Sequence, residues 1–291
     1  MVGYIDDAVV TSKIRVRWEA GWHNHTPDRA EFFYGKCGCY RDPSLPASLF
    51  DPDAPGPAPG VVTDLKFEQV YIQAEYSGGG RVSVFAELPS RSIQPQSFLG
   101  GGSGFANQAG LGDVRAGAKI GLVATSRQAV TLQVQGFLPT GKAENGLGTG
   151  HQSIEPALLL YNAVNDRVAI ESQVGLWHPF GGSKGLPNAE SEKFAGDVLF
   201  YGIGPSVEVF RNGEVRFAPV VELVGWRVLR GSQTIAPGSA TDDAAGTNIV
   251  NLKIGGRIAW GESSLYAGWG RALTTASWYD EIVRFEYRFS F

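Results

Sequence analysis

The chain has 291 residues, 43% of them hydrophobic, with 39 Gly, seven Trp, ten Tyr, a single Met and a formal net charge of −4. It contains no run of about 18 apolar residues, which excludes a transmembrane helix, and its acidic balance offers no basic face to nucleic acid. The composition suits many turns and aromatic bands better than a helical core. A membrane location therefore requires a closed barrel, because only closure satisfies every backbone group that faces lipid.

The sequence opens on Met1-Val2-Gly3 with no signal peptide. An exported barrel needs one, so the chain is read as a mature or trimmed form with an added Met1. The first predicted strand runs from Lys13 to Trp22. Ile14, Val16, Trp18 and Ala20 alternate with Arg15, Arg17 and Glu19, so one face is apolar and the other charged. A long Pro-rich segment follows over 23–62, which neither strand nor helix tolerates. It is expected to form an outward loop or a lumen plug.

Beyond it the pattern becomes regular. Strands are predicted over 64–76 and 81–89, joined by the tight turn Ser77-Gly78-Gly79-Gly80, and then over 111–123, where Arg115 and Lys119 oppose Val114, Ile120 and Leu122. The fifth strand alternates Val130, Leu132 and Val134 with Thr131, Gln133 and Gln135. Strands at 151–162 and from Val168 meet at Asn165-Asp166. Those at 197–210 and 215–229 meet at Asn212-Gly213, a strong hairpin signal. Two more, from 248 to 260 and beyond the turn Gly261-Glu262-Ser263, lead to the last.

The last strand ends the chain. Val283, Phe285, Tyr287, Phe289 and Phe291 alternate with Arg284, Glu286, Arg288 and Ser290. Phe285, Tyr287, Phe289 and Phe291 resemble the terminal insertion signal that the outer-membrane assembly machinery reads. The count is twelve, and connections after even-numbered strands are short while those after odd-numbered strands are long. This predicts an all-β fold: one closed antiparallel transmembrane β-barrel spanning 1–291, with short periplasmic turns, long extracellular loops and the outer membrane of a diderm bacterium as its location. A soluble sandwich shares the alternation but seldom sorts its loops by end. Most of the Trp residues fall near predicted strand ends, where lipid headgroups favour them.

Short Gly-rich motifs carry a family resemblance over roughly 110–291: Gly110-Leu111-Gly112-Asp113, Leu138-Pro139-Thr140-Gly141 and Gly146-Leu147-Gly148-Thr149-Gly150. In these the chain resembles the outer-membrane transporters of the "MetA-pathway of phenol degradation" family. The resemblance implies a barrel that passes hydrophobic or aromatic compounds. The segment 23–62, with its two cysteines, departs from the family pattern.

In a closed barrel the polar faces line the interior. Arg15, Arg17, Lys253, Arg257, Arg284 and Arg288 are then expected as a basic wall around the closure seam, with Glu155, Glu171 and Glu208 opposite. The result is a transverse field across a pore for small solutes, or else a filled interior in which these groups pair. Cys37 and Cys39 flank Gly38 and follow His23 and His25; a disulfide, a zinc site or a plug pinned by either fits this spacing, the disulfide being favoured in an oxidising envelope. His151-Gln152-Ser153 with Asn162 or Asn165 resembles part of the outer-membrane phospholipase motif. However, the asparagines fall at the opposite end of the strand, about 30 Å away. The sequence therefore reads as a non-enzymatic channel in a lipid bilayer, without a cofactor. A partner-binding barrel is the alternative.

Overall fold

The structure is a computed structural model that describes residues 4–25, 42–47, 50, 52, 56, 57, 60–101, 104–181, 195–236 and 240–291. Twelve antiparallel strands form the wall: β1 (Lys13–Asn24), β2 (Val62–Ser77), β3 (Val82–Phe98), β4 (Val114–Ala124), β5 (Gln128–Leu138), β6 (Gln152–Ala163), β7 (Val168–Phe180), β8 (Val198–Val207), β9 (Val215–Val228), β10 (Asn248–Trp260), β11 (Ser263–Ala272) and β12 (Glu281–Ser290). Each pairs with its neighbours in sequence, and β12 returns to β1 from Lys13 opposite Ser290 to Trp22 opposite Glu281. The ring is closed, so no strand edge is left for lipid to solvate.

Alternation produces the outer surface. Ile72, Val84, Ile203, Phe285 and Phe291 are all more than half exposed, and Ile14, Leu122, Val174, Leu223, Ile254 and Leu265 are exposed on other strands. A soluble protein could not carry so continuous a belt without associating. In a bilayer it is the lipid face. Trp18, Trp22, Trp260 and Trp269 lie at outward positions, whereas Trp177 and Trp278 are buried and Trp226 is half-buried inside the ring. Four of the seven thus turn to the outer face. The others fill the interior, because parity and packing, not proximity to a strand end, decide which way a side chain turns.

The periplasmic turns are tight. Gly213, at φ 56, closes the Asn212-Gly213 hairpin in the left-handed region that a side chain would disfavour. At the opposite end β3 runs nine residues past the expected stop at Pro89. It pairs with β4 only as far as Glu87 opposite Arg115, and then with a short strand over Gln108–Leu111. Pro89 lies in the gap between these two pairings, where a missing N–H costs least. A hairpin of Ser232–Ala236 and Ala240–Asp243 stands above β9 and β10.

The Gly-rich motifs build a clasp over the short top of β4 and β5. Asp113 accepts hydrogen bonds from the Gly141 and Thr149 backbone N–H groups at 3.0 and 2.7 Å and from the Thr149 hydroxyl at 2.9 Å. The Thr140 hydroxyl donates to the Gly112 carbonyl at 2.9 Å. A Cβ at Gly148 would stand 2.4 Å from Asp113 Oδ1, so only glycine fits there.

Inside, the two halves differ. Toward the extracellular end Leu65, Phe67, Ile93, Ile249, Trp278, Tyr279 and Ile282 form one apolar cluster, with Trp226 packed against it. Toward the periplasm the interior is charged.

Candidate functional site in the barrel lumen

Strand parity decides which charges enter the lumen. On β1, Lys13, Arg15, Arg17 and Glu19 point inward and are buried between exposed Ile14 and Val16. From β12 come Arg284, Glu286 and Arg288, with Arg17 opposite Glu286, Glu19 opposite Arg284 and Arg15 opposite Arg288. Arg257 and Lys253 on β10 are buried as well.

Acidic partners stand among these cations. Glu87 on β3 accepts from Arg15 Nη2 at 3.2 Å, Arg17 Nη2 at 3.5 Å and Arg115 Nη1 at 3.1 Å. Glu286 accepts from Arg257 Nη2 at 2.8 Å and Arg288 Nη2 at 3.0 Å, with Arg15 Nη1 3.9 Å away. Glu19 takes Arg284 Nε at 2.6 Å, and Glu75 takes both Lys13 and Lys119 at 3.3 Å. Lys253 has no ion-pair partner among the described residues. Its Nζ donates to Tyr279 Oη at 2.6 Å and sits 4.3 and 4.4 Å from the ring centroids of Tyr4 and Tyr279. Buried charges persist only when so compensated.

Glu155 and Glu171 face the interior on β6 and β7 and are buried. Glu155 accepts a hydrogen bond from Gln135 Nε2. Glu208 does not join them. It lies in the turn after β8, where Arg211 Nε and Nη2 hold it at 2.5 and 3.0 Å; that hydrogen bonding lowers its carboxyl pKa. The signs are therefore interleaved on the seam wall, with Glu19, Glu75, Glu87 and Glu286 among the cations, and the expected division into a basic and an acidic wall is replaced by short-range pairing. The reason is register: inward positions of adjacent strands fall side by side, so opposite charges there meet directly.

The chain before β1 enters the lumen. Glu222 accepts the backbone N–H of Tyr4 at 2.7 Å and of Ile5 at 3.2 Å, and Gln173 Oε1 that of Asp6 at 2.9 Å. Asp7 Oδ2 receives Lys13 Nζ at 3.0 Å and Arg288 Nη1 at 2.8 Å, while Lys119 Nζ donates to the Asp7 carbonyl at 3.0 Å. Thr131 Oγ1 donates to the Ala8 carbonyl at 2.5 Å, Gln133 Nε2 to Asp6 Oδ2 at 3.3 Å, and Arg15 Nη1 is 3.7 Å from Asp6 Oδ1. Anchors from six strands thus hold a segment that joins no sheet. Asp6-Asp7, two adjacent acids just before a basic strand, was the one sequence signal for it.

Beside this segment lies a cavity of about 140 Å3. Arg15, Arg17 and Arg115 line it together with Phe137, Phe200 and Trp226. Tyr71 lies under both Arg17 and Arg115, at 4.1 and 5.2 Å from ring centroid to guanidinium, and Phe137 flanks Arg115 at 4.9 Å. The space thus offers guanidiniums and rings together, with Phe137 directly opposite Arg115 on the adjacent strand, as suits an amphipathic solute.

At the extracellular rim, His23 Nδ1 is 3.3 Å from Asp64 Oδ2, His25 Nδ1 is 3.1 Å from the Thr63 carbonyl, and the two rings stack at 6.0 Å. Cys37 and Cys39 lie outside the described residues. His151 and Ser153 are buried at the top of β6. Asn162 and Asn165 lie at the other end of that strand and in its turn. At the rim of β7 and β8, Asp197 Oδ1 is 2.6 Å from His178 Nδ1, and Asp197 also takes Arg230 Nε at 2.9 Å. Partial burial would raise its carboxyl pKa, but the His178 and Arg230 hydrogen bonds outweigh that and lower it.

No protein-family model matches the sequence, and no curated protein is detectably similar to it. Solved structures share the fold. The COG4313 outer membrane channel from Pseudomonas putida F1 is 10% identical, with 100% of this chain and 99% of that one covered at a TM-score of 0.59. The β domain of the Bordetella autotransporter BrkA is 13% identical, with 97% and 100% covered at 0.52. With its apolar outer belt and closed ring, the chain is a twelve-stranded transmembrane β-barrel with the fold of these outer-membrane proteins.

Proposed function

We propose that the barrel is an outer-membrane channel or transporter for small hydrophobic or aromatic solutes, that these pass through the lumen, and that Arg15, Arg17, Arg257, Arg284, Arg288 and Lys253, with Glu155 and Glu171, form the charged part of the path. The observation that carries this reading is the cavity lined by guanidiniums and rings beside an N-terminal segment held by side chains alone. A segment so held can leave without breaking the sheet, whereas a wall strand cannot. Phe285, Tyr287, Phe289 and Phe291 face outward, as recognition by the assembly machinery would need.

Single-channel recording in planar bilayers, with solute uptake into liposomes, tests this. We expect small currents from the intact chain and larger ones after deletion of residues 4–11. Silence and no uptake from both would favour the second reading, a non-conducting barrel that binds partners. The pairing of nearly every cation on the seam wall supports that alternative.

A further inference from the structure

We propose that the lumen cavity binds a small aromatic monocarboxylate, with its carboxylate on Arg15, Arg17 and Arg115 and its ring against Phe137, Phe200 and Trp226. The solute's route to the site rests on the channel reading above; the site itself rests on four observations.

Charge comes first. Three guanidiniums converge on the single carboxylate of Glu87. The other acids near them are more distant or already engaged: Asp6 is 3.7 Å from Arg15, and Glu19, 3.6 Å from Arg17, is bound closely by Arg284. Of the cations that line the cavity, Lys119 is held by Glu75 at 3.3 Å and Arg284 by Glu19, which leaves Arg15, Arg17 and Arg115 sharing Glu87.

Unused donors come next. The Nε groups of Arg15 and Arg115 are buried with no hydrogen-bond partner, and that of Arg17 has Glu19 Oε1 only at 3.6 Å. Buried polar groups are normally satisfied, so the cluster keeps donor capacity in excess of its acceptors. Arginine forks match the planar, two-oxygen geometry of a carboxylate.

Orientation is set by the rings. Tyr71 and Phe137 flank Arg115, which fixes the guanidinium plane before any ligand arrives.

Size is the last. The cavity of about 140 Å3 matches the roughly 150 Å3 space known to take one benzene ring. Glu155, on the same cavity and hydrogen-bonded to Gln135, would disfavour a second carboxylate there.

Three probes of one ring size separate the possibilities: benzoate, benzyl alcohol and benzylamine, titrated calorimetrically into the full chain in detergent. Benzoate is expected to bind about tenfold tighter than benzyl alcohol, since hydrogen bonds to charged groups exceed neutral ones by about that factor. Benzylamine should bind weakest. Arg115→Gln should cost benzoate about tenfold and leave benzyl alcohol within about twofold. Arg127→Gln, in an exposed periplasmic turn, should change neither. Retained gel mobility before heating confirms that each variant is folded. If Arg115→Gln does not fold, the salt dependence of the wild type replaces it: benzoate affinity must fall with ionic strength while benzyl alcohol affinity stays constant. Equal affinities for the three probes, a preference for benzylamine, or benzoate binding indifferent to Arg115 and to salt overturns the proposal. Because binding is read without a membrane, benzoate binding with no current overturns only the channel reading, and current with no benzoate preference overturns only this one.

Discussion

The two halves of the lumen share one wall and one outer belt, yet they are stabilised in opposite ways. The extracellular half packs Phe67, Ile93, Trp278 and Ile282 as an ordinary apolar core. The periplasmic half has almost no such cluster around the seam and is held by Arg15, Arg17, Arg288 and their carboxylates. Packing is tolerant, since each lost contact costs its own area. A buried charge network is not, since removing one member strands the rest. The tolerant half therefore supports the fold and the exacting half sets what the interior recognises.

The largest expected effect strikes the exacting half. Glu87→Ala leaves three buried guanidiniums facing one another, and we expect a loss near the upper end of about 3–5 kcal/mol, measured as the urea midpoint of gel-mobility unfolding. Phe67→Ala should cost about 3 kcal/mol by cavity formation, read in the same assay with the charged wall intact. A Phe67 loss exceeding that of Glu87 would break the comparison. Asp7→Asn should weaken docking of the N-terminal segment by about 1.5–3 kcal/mol, seen as faster protease trimming of residues 4–12, while the urea midpoint of the barrel stays put. The smallest effect is at the rim. The Asp197 carboxyl pKa is lowered in the folded protein, so its contribution is present above the unfolded value and is lost as pH falls below about 4 toward the folded one. With solvent screening we expect no more than about 1 kcal/mol, visible as faster amide exchange at Asp197 and Arg230 in acid. Unchanged exchange down to the folded value would remove Asp197 from the account.

The barrel was legible because alternation is local: each strand's inward and outward sets can be read from its own residues, and turns such as Asn212-Gly213 fix where strands meet. The length of β3 was not, since Pro89 reads as a strand end unless the switch from β4 to the 108–111 strand is known. The site was legible by half. Arg15 and Arg284 could be placed inside by parity, but their pairing with Glu87 and Glu19 spans 72 and 265 residues and depends on register around the ring. Glu75 and Glu87 were also inward by parity, yet nothing in one strand says which charge its neighbours will offer. The lumen occupant 4–12 is not legible because it has no periodicity; the plug or loop expected over 23–62 lies mostly outside the described residues.

The seam where β12 meets β1 carries a further consequence, for assembly. A one-residue slip there would turn Arg15, Arg17 and Glu19 toward lipid. A two-residue slip in one direction would set Arg17 against Arg288 and Glu19 against Glu286; in the other it would set Lys13 against Arg288 and Arg17 against Arg284. The native register leaves only Arg15 facing Arg288, with Glu286 in reach of both. The order of signs along these two strands thus works as a combination lock that favours closure in the native register.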